Sequence, residues 1–129
     1  MGYAFLLGRI LFGGFFLRSA WNHFKNLNMM AGYAASRGVP APKLSVGGSG
    51  VLLLIGGLGV LFGVYVRWAL GALVLFLLPV TLMMHSFWKD SDPHIKAANS
   101  VNFYKNLALL GAVLMLYLLP LPWPLSLVK

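Results

Sequence analysis

The sequence predicts an all-α fold: a four-helix transmembrane bundle, up-down-up-down, with a short interfacial helix or lid between the first and second long helices. Three observations predict it. The 129-residue chain is 60% hydrophobic and 9% charged, whereas a soluble domain has about 45–50% apolar and about 25% charged residues. Apolar stretches recur at about 3–24, 44–64, 68–87 and 99–119, each near the roughly 20 residues that cross a hydrocarbon core. No alternating apolar–polar run marks a strand, so residues 1–129 read as a single transmembrane domain.

The first helix carries Arg9 in an apolar run and ends in the polar segment Arg18-Ser19-Ala20-Trp21-Asn22-His23. It lacks the basic n-region of a signal peptide, and its apolar run contains Arg9 and continues into aromatics, which predicts a retained helix. An arginine at membrane depth needs a partner or a route to water. Arg9 and Arg18 point to opposite sides of the helix, at about 100° per residue. Gly13, Phe16 and Ala20 continue the Arg9 face toward His23, so Arg9 is expected inside and Arg18 to snorkel. No carboxylate lies in an apolar segment, so neutral groups are expected to satisfy Arg9. Residues 26–42 are too short and polar to span. Asn26 or Asn28 is placed to cap a short helix, and Gly38, Pro40 and Pro42 end it. Met29, Met30 and Tyr33 suit it to the interface.

In the second long helix Ser45, Ser49, Leu52, Gly56, Gly59 and Gly63 share one face. Gly56, Gly59 and Gly63 are helix-packing candidates, because small residues let backbones approach where lipid supplies no hydrophobic drive. Packing within the monomer is favoured over a homo-oligomer contact. The turn at Tyr65-Val66-Arg67 makes the next helix its antiparallel partner. That third helix contains Pro79, which frees the Leu75 carbonyl and predicts a kink. It closes with Thr81, His85 and Trp88 at helical spacing. After a polar loop over 89–98, the fourth helix opens with Asn99, Ser100, Asn102, Lys105 and Asn106, and prolines stop it after about 119.

With both termini on one side, Tyr3, Tyr65, Trp68, Tyr117 and Trp123 fall in one interfacial belt. Trp21, Tyr33, Trp88 and Tyr104 fall in the other. The long-loop face holds Arg18, Lys25, Arg37, Lys43, Lys89, Lys96 and Lys105, against Arg9, Arg67 and Lys129 on the termini face. The positive-inside rule then expects the long loops in the cytoplasm and the termini outside.

The net charge of +8 comes from ten Lys and Arg against two acidic residues. These cations punctuate apolar segments, which suits topology signals and anionic headgroups in a lipid bilayer, not nucleic acid. The absence of cysteine excludes disulfides, thiol catalysis and thiolate metal sites.

Asn99, Asn102 and Asn106 form a polar stripe that should face the bundle interior, beside Asn22, His23 and His85 at the same level. Arg9, Asn22, His23, His85, Asn99, Asn102, Lys105 and Asn106 are therefore ligand-pocket candidates, with Trp21, Trp88 and Tyr104 as rim aromatics. Two histidines without a carboxylate make a thin haem or metal site, so no metal is assigned and haem is disfavoured. His, Asn and Lys donors with stacking aromatics suit a quinone. The alternatives stay open: the histidines as satisfied neutral groups, the Asn stripe as interhelical glue, Lys105 as a topology anchor. There is no nucleophile–base pair and no phosphate loop, so the isolated chain is not expected to be catalytic.

GRILFGGFFLRSAWNHF, a loop ending RGVPAP, a glycine-rich second helix, LPVTLMMHSFW and VNFYKNLALLGAVLML together resemble the DoxX family over almost the whole chain. The resemblance implies a four-helix protein of the bacterial cytoplasmic membrane. It also implies a subunit or assembly partner of a quinone-linked redox system, with a soluble or membrane redox partner protein. Family members include a subunit of a thiosulfate:quinone oxidoreductase and a membrane organiser of an oxidative-stress complex. The alternative is a non-catalytic membrane scaffold that binds a partner protein or lipid. The resemblance assigns no catalytic residues, and thiol chemistry cannot operate in a chain without cysteine.

Overall fold

The computed structural model describes residues 2–127, which contain no strand. Helix α1 is Gly2–Lys25 and the short α2 is Leu27–Ser36. Helices α3, Pro42–Phe62, and α4, Val66–Met84, form a hairpin. A 3-10 turn at Phe87–Lys89 leads to α5, Pro93–Tyr117. Three segments are long and apolar enough to cross a membrane: Gly2–Lys25, Pro42–Phe62 and Val66–Lys89. Helix α5 has the length but not the composition, because Asn99, Asn102, Lys105 and Asn106 interrupt it. The expectation of four apolar spans is therefore met by three.

Neighbouring long helices run antiparallel. Arg9 reaches Val60, while His23 lies beside Gly50, so α1 runs against α3. Gly56 faces Leu73 and Gly59 faces Ala69, which sets α3 against α4. Arg67 at the start of α4 donates to the Tyr117 carbonyl and covers its ring at 4.9 Å, while His85 meets Asn99 at the other end of the α4–α5 pair.

The helix ends differ from expectation where side chains make local bonds. Helix α4 stops at Met84, three residues early, because Ser86 turns inward to 1% exposure and its carbonyl and hydroxyl accept from Arg37. His85 is thus a helix cap, and Trp88 sits on the 3-10 turn instead of a shared helical face with Thr81. Helix α5 begins six residues early. Asp92 caps it by accepting from the His94 and Ile95 amides, and Pro93 occupies the first turn where a missing N–H costs nothing. Asn26 occupies the cap position of α2 without a side-chain capping bond; its amide donates to Asn22 instead.

Phe16, Leu53, Val60, Leu70, Leu73, Leu77 and Val113 form the main core, toward the termini. A small cluster of Ala31, Ala34 and Val46 seats α2 on α3. Residues 118–127 fold back over the termini end, where the Leu127 amide donates to the Phe62 carbonyl. This corrects one belt assignment: Trp123 is 3% exposed and packs edge-on against Phe5 at 5.3 Å. The other belt aromatics are exposed. Lys129 lies outside the described residues.

Candidate ligand cavity

The core stops short of the long-loop end. There a cavity of about 680 Å³ opens between α1, α3, α4 and α5 under the roof of α2. Phe15, Phe16, Leu52, Phe76 and Leu77 make its apolar depth, and Met30 and Tyr33 of α2 close it above. Ser45, Ser49 and Leu52 extend the small-residue face of α3 along its wall. Pro79 and Leu75 line the opposite wall, so the carbonyl that proline leaves without its helical donor belongs to a cavity residue.

Of the candidate residues, Asn22, His23, His85, Asn102, Lys105 and Asn106 line this space. The His23 ring is buried, with Nδ1 at 2.8 Å from the Ser19 carbonyl and an edge-on contact to Phe76 at 5.8 Å. Lys105 Nζ donates to Asn102 Oδ1 at 3.4 Å and lies 5.5 Å from the Phe15 ring centre. Asn22 is engaged with Asn26 and with the Met30 sulfur. Asn106 is 6% exposed and makes no hydrogen bond to the described protein.

Asn99 stands behind this wall. It is 4% exposed, its Oδ1 lies 3.2 Å from His85 Nδ1, and its Nδ2 donates to Asp90 Oδ2 at 2.8 Å. Asp90 also pairs with Arg37 at 2.5 Å, its side chain only 8% exposed. The Asn99 amide and the Arg37 guanidinium hold the Asp90 carboxyl below the usual carboxylate range. Arg37 follows α2, so this clasp fixes the roof to the loop before α5. Tyr33 hydroxyl, 3.5 Å from Asn99 Nδ2, lies beside it.

Two sets of candidates lie elsewhere. Arg9 is 3% exposed and faces inward, but at the termini end, donating to the carbonyls of Val60, Leu61 and Pro124. These neutral acceptors join α1 to the end of α3 and the returning C-terminal segment. Trp21, Trp88 and Tyr104 do not line the cavity. Trp21 is 68% exposed, while Trp88 and Tyr104 pack with Phe87 and Phe103 on the outer surface. The aromatics that do line the cavity are phenylalanines and Tyr33. Sequence reasoning missed Arg37, Asp90 and Ser86. Their one signal was Asp90 itself, one of two acidic residues in a strongly basic chain.

The glycine candidates act within the monomer. A Cβ on Gly59 would stand 2.2 Å from Ala69 Cβ, and one on Gly56 would meet the Leu73 side chain. Gly63 ends α3 in the left-handed region, at φ 69°. Gly13 and Gly57 form a further close contact, between α1 and α3, where a Cβ on Gly13 would stand 2.9 Å from the Gly57 carbonyl oxygen.

A family model described as DoxX matches residues 4–86, more than half of the chain. The chain belongs to the DoxX family. Comparison with curated proteins and with solved structures gives no match. Family membership and three apolar helices make this a small membrane protein in a lipid bilayer. The matched DoxX region runs from the first turn of α1 to Ser86, so it holds His23, Arg37 and His85. Asp90 and the Asn stripe of α5 lie beyond it.

Proposed function

We propose that this DoxX protein is a subunit or assembly partner of a quinone-linked membrane redox system, and that its cavity takes a lipid-soluble ring compound of the quinone class. The observation that carries this reading is Asn106, buried at cavity depth with its amide unserved by protein. The amide atoms stay open to the cavity, so a ligand oxygen or nitrogen is free to take the hydrogen bonds that no protein group makes. The volume supports the same reading, since small-molecule sites run about 300–1,000 Å³. The cavity joins apolar walls to a few polar groups at one end, the distribution that a polar ring on a lipid tail requires.

Helix α5 serves as the fourth span in this reading. Leu107, Leu114 and Met115 face outward on it, and its polar stripe turns toward the cavity and the clasp. The protein then lies in the bacterial cytoplasmic membrane, with the long loops cytoplasmic. Mass spectrometry of the small molecule that co-purifies with the protein tests the reading. A quinone or related ring compound is expected, and Asn106→Ala or His85→Ala should weaken binding of an added analogue about tenfold. Wild-type protein that neither carries nor binds such a compound would sink the reading.

A second reading is a non-catalytic scaffold for a partner protein. Exposed Trp88 and Tyr104, with the exposed Lys89 next to Trp88 in the chain, favour it. It predicts co-purification of a specific partner that Trp88→Ala releases.

A further inference from the structure

We infer that the cavity selects a ring that donates a hydrogen bond, a phenol or hydroquinone hydroxyl, over a ring that can only accept one. The inference rests on the reading of the cavity as a ring-compound site. It starts outside the cavity, at Asp90. An ionised carboxylate only accepts hydrogen bonds. Asp90 Oδ1 takes Arg37 Nη1 and Oδ2 takes Asn99 Nδ2, so the Asn99 amide can sit only one way round. Its carbonyl oxygen then faces His85 Nδ1 at 3.2 Å. An amide oxygen accepts and cannot donate, so His85 carries a proton on Nδ1. In the neutral ring Nε2 then holds a lone pair.

His23 reaches the same tautomer by a separate route. Its Nδ1 lies 2.8 Å from the Ser19 backbone carbonyl, which also only accepts. Both rings line the cavity, and no described protein group serves either Nε2. Two acceptors are thus offered to whatever enters. A quinone oxygen against either one sets lone pair against lone pair. A hydroxyl gives its proton to Nε2, and its own oxygen stays free to accept from Lys105 or Asn106. The hydroxylated ring satisfies both kinds of group on the wall, and the quinone satisfies only the donors. Asp90 and Asn99 touch no ligand; they are positioning residues that set the His85 tautomer.

The test compares two pairs of ligands on the full chain in lipid nanodiscs. One pair is decylubiquinol and decylubiquinone, held under argon. The other is an alkylphenol and its methyl ether, which differ by the donated hydrogen without redox chemistry. The hydroxyl member of each pair is expected to bind at least about tenfold tighter, since a site built to pair a hydroxyl rejects the analogue lacking it. In His85→Phe both preferences should shrink toward parity. Nitrogen-15 NMR of labelled histidine should show protonated Nδ1 and bare Nε2 on His23 and His85. Asn99→Leu should return His85 to a mixture of tautomers, leave His23 unchanged, and reduce the preference. Equal or tighter binding of the quinone and the ether, or a proton on Nε2 of His85, would overturn the inference and leave the cavity reading intact. Binding of no member of either pair would overturn both. The wild-type comparisons decide the matter even if a variant does not fold.

Discussion

At the residue scale, Arg9 shows how a charge is held in an apolar helix without a counter-ion. Its guanidinium spans carbonyls of Val60, Leu61 and Pro124, and the fork geometry of arginine lets one side chain serve all three. Arg9→Met leaves those carbonyls short of donors and should cost about 2–4 kcal/mol, read as lowered resistance to unfolding in detergent. Arg9→Lys should lose less. The same variant should release the C-terminal segment. Trp123 is the one deeply buried tryptophan among the described residues, so acrylamide quenching should rise in Arg9→Met. Unchanged quenching would show that the segment is held by other contacts.

Asp90 supplies the residue-scale prediction in pH. Its native carboxyl titrates below the unfolded value of 3.8, so the ionised form is the one that stabilises the fold. That contribution is complete above about pH 4 and is lost as the pH falls through the lower native value. Wild type should therefore be more stable than Asp90→Asn at pH 6, with the two converging as acid protonates Asp90. Thermal melts across that range check it, and a gap that widens in acid would contradict the assignment.

At the element scale, the α3–α4 hairpin depends on contacts too close for any side chain. Ala69 Cβ is short and cannot swing away from a new Cβ on Gly59, whereas the Leu73 side chain facing Gly56 can re-orient. Gly59→Ala should therefore destabilise by about 1–3 kcal/mol, and Gly56→Ala by less. Gly71 has open space around a built Cβ, so Gly71→Ala should gain up to about 1 kcal/mol from helix propensity. Unfolding of the three variants in mixed micelles gives the order. The face containing Gly56 and Gly59 was legible from spacing of three and four residues. The Gly13–Gly57 contact was not, because nothing in either helix alone says which faces meet.

At the scale of the whole molecule, composition and family fix a membrane protein, while the number of spans turns on α5. If α5 crosses the bilayer, Tyr65→Cys and Leu118→Cys should react with an impermeant reagent from one side and Tyr33→Cys from the other. The chain has no cysteine, so each label reports one position. Tyr33→Cys and Leu118→Cys on the same side would place α5 along the surface. The cavity belongs to this scale as well. His23 and His85 are separated by three helices' worth of sequence, and only packing brings them to one wall.

The sequence by itself determined the apolar helices, the inward Arg9 and the convergence of His23, His85, Asn102, Lys105 and Asn106 toward the long-loop end. Helical periodicity and the cost of polarity in lipid act locally, so they can be read from one strand of text. Tertiary structure alone decided the Arg37–Asp90 clasp, the early end of α4 at Ser86, the burial of Trp123 and the absence of Trp21, Trp88 and Tyr104 from the cavity. Each depends on which residues meet across 35 or more positions, or on a loop's path. No periodicity encodes such meetings. They follow from the joint packing of all the helices.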